Sequence, residues 1–136
     1  MAEILSAYLG QQAAEAFVYG SSDCSTFVVG WLDLLTGEDA MKHWAGKFHD
    51  KWSCWNFIAA NGGFRDIAGA FFMKHYGIEE TQPAVGNVVL TKLNDLEAMG
   101  LRVSLDGDIA LRTERGMLVT KRAEVLCEWG LPCLPS

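Results

Sequence analysis

Residues 17–37 of this 136-residue chain read FVYGSSDCSTFVVGWLDLLTG, and the reading of that stretch decides the fold. Gly20-Ser21-Ser22-Asp23 supplies short polar groups that can accept hydrogen bonds from the unpaired N–H groups of a helix start, with Ser22 and Asp23 as the capping residues. Phe27, Val28, Trp31, Leu34 and Leu35 then recur at spacings of three and four, which makes one broad apolar stripe. Gly37 sits where a left-handed C-terminal cap belongs. The pattern predicts a helix from about Asp23 to Thr36, docked by its stripe, with Cys24 in the first turn.

A thiol in that place has a physical reason to be reactive. The partial positive charge at a helix N-terminus favours the thiolate, so Cys24 is a candidate nucleophile. The plainer reading is a small apolar side chain at a helix start, because cysteine is among the most buried residue types.

Working outward, Ala2 to Ala16 carries Ile4, Leu5, Tyr8, Leu9 and Ala13 at helical spacing, with Phe17 following, and predicts a first helix packed on the cysteine helix. After Gly37, the stretch from Glu38 to Lys51 mixes charges with Met41, His43, Trp44, Phe48 and His49, and reads as a loop with a short helical turn. Its aromatic rings serve either to cover the core or as a patch for a partner. Ser53 is placed to cap a helix through Trp55, Ile58 and Ala59 that ends at Asn61-Gly62-Gly63. Phe64 to Tyr76 predicts another helix, with Phe64, Ile67, Phe71 and His75 on one side and Gly77 as its cap.

From Val85 the character changes. Val85 to Thr91 is β-branched and apolar and predicts a strand. Asn94 to Ala98 reads as a polar loop. Leu101, Val103 and Leu105 alternate with polar residues, Asp106-Gly107 turns the chain into Ile109 to Leu111, and Glu114-Arg115-Gly116 turns it into Met117 to Thr120. The result is a meander of about four antiparallel strands, and Ala123 to Trp129 reads as a last helical turn before a Pro-containing tail at about 130–136. Helices first and an antiparallel sheet afterwards give the α+β class in a single domain, 1–136.

Composition narrows the function. Seventeen acidic against eleven basic side chains give a net charge of −6, which argues against a nucleic-acid partner. No apolar run approaches a membrane span, and Met1-Ala2-Glu3 lacks the basic start of a secretory leader. Cys24, Cys54, Cys127 and Cys133 show no CxxC pair, so no metal site and no cofactor is expected. A Cys127–Cys133 disulfide stays open at this level.

The run Tyr19-Gly20-Ser21-Ser22-Asp23-Cys24-Ser25-Thr26-Phe27-Val28 resembles the nucleophile segment of the NlpC-type papain-like cysteine peptidases, which cut peptide stems of bacterial cell walls. Thr26 stands where that family usually has glycine. From roughly Ala13 to Trp129 the chain also resembles short phage tail proteins related to those peptidases. Thr36-Gly37, Gly62-Gly63, Gly86-Asn87-Val88-Val89-Leu90 and Trp129 follow the same order. The resemblance implies a papain-like fold in which the cysteine helix packs on a small antiparallel sheet and the second strand brings the general base.

That base is a histidine, just after the strand matching Val88 to Leu90. The matching stretch here, Ala98-Met99-Gly100-Leu101-Arg102-Val103, has none, and all three histidines, His43, His49 and His75, precede the sheet. His75, beside a helix C-terminus that would favour its protonated form, is the remaining candidate for a base. The plainer reading of it is a solvated or capping residue.

The leading expectation is therefore a phage tail protein of the tail tip or its assembly, made in the host cytoplasm and carried in the virion. It uses a papain-like scaffold for structure and is catalytically degenerate. Its partners are other tail proteins, met through apolar surface supplied by Trp44, Trp52, Trp55 and the 131–135 tail. The first alternative is an active cysteine peptidase or amidase acting on peptidoglycan stems, with Cys24 as nucleophile and a base from elsewhere. A second, unrelated to phage, is a small immunity or adaptor protein with a structural cysteine.

Overall fold

The apolar stripe becomes helix α2, Cys24–Thr36, with Asp23 as its N-cap and Gly37 as its C-cap at φ 76°. Around it the computed structural model places α1 (Ala2–Ala13), α3 (Met41–Trp44) and α4 (Phe64–Tyr76). Strands β1 (Val88–Leu93), β2 (Leu96–Arg102), β3 (Ile109–Thr113), β4 (Gly116–Thr120) and β5 (Glu124–Trp129) follow. The structure describes residues 1–18, 23–44, 60 and 62–130. The expected cap Ser22, the helix expected from Ser53, His49, Trp52, Trp55, Cys54, Cys133 and the tail lie outside the described residues.

The class is α+β, helices first. Helix α2 buries Phe27, Val28, Val29, Trp31 and Leu32. Leu34, expected on that stripe, is 56% exposed, and Leu32 takes its place at 0%. Trp31 fixes α2 to the sheet by donating its indole N–H to the Gly86 carbonyl at 2.8 Å. Helix α1 crosses α2 at Gly30, where an added Cβ would lie 2.6 Å from the Tyr8 hydroxyl, and that hydroxyl donates to the Phe27 carbonyl at 2.6 Å. The expected first helix ran to Ala16, but α1 ends at Ala13. The Arg112 guanidinium of β3 reaches the carbonyls of Gln12 and Glu15, taking acceptors that a helix C-terminus leaves unpaired.

The sheet is antiparallel in the order β4-β3-β2-β1-β5, so the last strand returns to pair with the first. Four strand spacings would put β4 and β5 about 19 Å apart in a flat sheet. Thr120 and Glu124 bound a three-residue link, and four residue steps reach about 14 Å. The sheet must therefore roll. Val89, Ile109 and Leu111 fill the inside of the roll together with Ala123 from that link. The opposite face carries Val88, Leu90, Met99, Leu101 and Trp129 against α2 and α4.

Two expectations are corrected here. The predicted polar loop from Asn94 to Ala98 is a two-residue turn: Asn94 and Asp95 have φ of 52° and 64°, the left-handed pair of a tight hairpin, and β2 starts at Leu96. The expected helical turn from Ala123 to Trp129 is β5, paired with β1. Its register shifts between Leu90 and Thr91, which leaves Leu126 without an opposite residue. Val125 consequently packs inside the roll while Cys127 packs on the helix side. The bulge breaks the period of two and leaves a spacing that imitates a helix.

One buried ion pair clamps β2 to β5. Arg102 donates through Nε and a terminal nitrogen to Glu128, at 2.9 Å in the shortest contacts, and Glu128 also accepts from the Asn87 amide at 2.9 Å. Both side chains are below a tenth exposed. Removing one member strands a buried charge, so Arg102→Met should lower the unfolding free energy by about 3–5 kcal/mol. The check is a shift of the urea midpoint at constant slope; a loss below about 1 kcal/mol would show that the pair is not acting as a clamp.

Candidate functional site

The first turn of α2 is built from hydrogen bonds. Asp23 Oδ1 accepts from the Ser25 and Thr26 amides, both at 2.9 Å, and from the Ser25 hydroxyl at 2.6 Å. Thr26 returns the contact, its hydroxyl accepting from the Asp23 amide at 2.8 Å, which closes a capping box. This gives Thr26, unusual at its place in the resembling motif, a structural reason. Asp23, Ser25 and Thr26 are all buried.

Helix α3 completes the cluster. Trp44 donates its indole N–H to the Ser25 hydroxyl at 2.7 Å, so the donors run from Trp44 to Ser25 to Asp23. Its ring meets Phe71 of α4 edge-on at 5.1 Å. Trp44 was open between core cover and exposed patch, and it is core cover at 6% exposed. Asp33 holds the other end of α3 by accepting from the Ala40 and Met41 amides, both at 3.0 Å. Tyr76 of α4 donates to the same carboxylate at 2.7 Å, and burial with this hydrogen bond raises its pKa.

Cys24 sits half-buried at the first helical position and packs against the main core. Its helix offers partial positive charge there, but the Asp23 carboxylate lies at the same end and offsets that potential.

Strand parity decides what faces this turn from the sheet. Ala98, the first residue of the stretch where the histidine was expected, packs inside the roll with Val89 and Leu111, away from α2. Met99 faces the helices at 1% exposed. With Ser25, Trp44 and Phe71 it lines an apolar cavity of about 10 Å³. That is room for about one water and no substrate.

His75 is brought elsewhere. It lines an open groove of about 600 Å³ with Thr36 and Glu38, at the far end of α2 from Cys24. A 13-residue helix is about 18 Å long, so that end is remote from the thiol. His75 stacks on His43 with ring centroids 5.0 Å apart. The expected preference for its protonated form is reversed: desolvation first, then His43 and Lys74, lower its pKa below the ordinary value. Cys127, left open for a disulfide, is a buried thiol with its pKa pushed up to about 11, chiefly by desolvation.

Among the described residues no three or more histidine, cysteine, aspartate or glutamate side chains gather as metal ligands, and no helix is long and apolar enough to cross a membrane. Residues 1–131 match a family described as a domain of unknown function, DUF6950. The chain belongs to the DUF6950 family. No curated protein and no solved structure matches it.

In this DUF6950 chain, sequence reading missed Asp33 and Met99. Asp33 carried a signal, a lone acid inside an otherwise apolar run of α2. Met99 carried none beyond strand parity. Ser25 is the hinge of the donor chain, and Ser25→Ala would leave the buried Trp44 donor without its acceptor there, at a cost of about 1–3 kcal/mol. Thermal unfolding of the variant beside Ser25→Thr, which keeps the hydroxyl, checks this; equal losses in both variants would point to packing alone.

Proposed function

We propose that this chain is a structural component of a phage tail, at the tail tip or in its assembly, carried on a papain-like peptidase scaffold that has lost its proton acceptor. The resemblance of the segment from Tyr19 to Val28 and the order of the later motifs support the lineage. A cysteine at the first turn of a buried helix, docked on an antiparallel sheet, agrees with it. Its partners on this reading are other tail proteins.

The observation that carries the loss of activity is that the stretch from Ala98 to Val103 holds no histidine, with Met99 as its buried residue nearest the first turn of α2. A thiol peptidase needs an imidazole within hydrogen-bond reach of sulfur, to hold the thiolate and to protonate the leaving amine. In this chain the second strand turns a buried thioether to the helix face where Ser25 lies. A thioether takes no proton at neutral pH, and loss of one member of such a unit costs several orders of magnitude in rate.

A second reading is a Cys24-dependent peptidase or amidase acting on peptidoglycan stems, favoured by the half-buried position of the thiol in that first turn. Digestion of purified cell wall by the wild-type chain and by Cys24→Ala separates the two. The scaffold reading expects no release of stem peptides above background from either. Release that vanishes in Cys24→Ala would replace the scaffold reading with the enzyme, and normal tail assembly by the variant would place the cysteine outside assembly.

A further inference from the structure

Helix α3 is four residues long, too short to persist by its own hydrogen bonds. It is held at both ends. Asp33 fixes its start through the amides of Ala40 and Met41. Its last two residues make the other attachment: His43 stacks on His75, and Trp44 reaches Ser25 and Phe71. His75 also lies against Phe71, with ring centroids 4.4 Å apart, so one aromatic row joins the histidine pair to the ring covering the first turn of α2.

We propose that the His43–His75 pair is a proton-sensitive latch, which keeps α3, and with it Trp44, closed over the first turn of α2 and releases it on acidification. Two neutral imidazoles stack without penalty. Two imidazolium ions with ring centroids 5.0 Å apart repel each other, by enough to change a local opening equilibrium about tenfold.

Among the described residues the surrounding charges leave the repulsion in force. From α4, Lys74 adds to it. From α2, Asp33 attracts the cation, but by less than His43 and Lys74 oppose it. Glu38, the other attracting group, is the weakest of the four charges; it is exposed, as His43 and Lys74 are, so water and salt screen attraction and repulsion alike. The sign follows. A histidine whose folded pKa is lowered takes up its proton more readily when the contact opens. The stabilisation is therefore complete above the unfolded value of 6.5 and is lost as pH falls through that value towards the lower folded one. The latch does not depend on whether Cys24 turns over a substrate.

Indole N–H exchange, read by NMR on the full chain and corrected for intrinsic exchange, tests it. The Trp44 signal is assigned by its loss in Trp44→Phe. Trp31, whose indole donates to Gly86, serves as the internal reference. From about pH 7.5 to about pH 5, protection at Trp44 is expected to fall about tenfold while Trp31 is unchanged. His43→Gln and His75→Gln should each abolish the fall. Constant protection at Trp44, a parallel fall at Trp31, or a fall that persists in either variant would overturn the latch.

Discussion

A helix whose first turn is buried cannot leave its amide groups to water, and α2 begins in that condition. Ser25 to Val29 are buried, so the orphan donors at the N-terminus must be satisfied within the protein. The Asp23 carboxylate does this for Ser25 and Thr26, and much of the helical layer is arranged to let it. Trp44 covers the cap, α3 delivers Trp44, and Asp33, one turn from the other end of α2, delivers α3. The same carboxylate that makes the helix start viable also places negative charge beside Cys24. Stability of the turn and activation of a thiol there pull in opposite directions, because the carboxylate that caps the helix opposes a second negative charge beside it.

The sheet decides what faces that turn from the other side. Residues on one strand alternate between faces, so a single position decides whether a group reaches α2 or the inside of the roll. Met99 reaches the helices and Ala98 does not. Absence of a histidine could be read from the chain directly. That the helix-facing place is filled by a buried thioether, with space for about one water beside it, needed the register.

The helices were legible because their signals are local. Asp23 and Gly37 cap α2 and Gly77 caps the end of α4, while the start of α4 followed from helical spacing after Gly62-Gly63. The turn at Glu114-Arg115-Gly116 was legible from local signals too, whereas the strand expected through Leu105 ends at Arg102 and Asp106-Gly107 lies within a six-residue link to β3. The failures are non-local. Strand β5 looks helical because the bulge at Leu126 disturbs its alternation, and it becomes a strand because β1 offers an edge. Helix α1 stops where Arg112, about a hundred residues later, claims its carbonyls. The place of His75 depends on how α4 lies along α2, which no periodicity encodes.

The return of β5 to β1 has a consequence in time. During synthesis β1 emerges before β2, β3 and β4, and its outer edge waits for the last strand of the sheet. Until then the Trp129 ring that meets Phe72 edge-on at 5.2 Å is missing from beneath α4. A nascent chain halted after β4 would carry a ready meander with one exposed border and a gap under its helical layer. Such a chain would be a target for chaperones and strand-seeking neighbours, so final consolidation of this domain belongs to the moment its C-terminal strand leaves the ribosome.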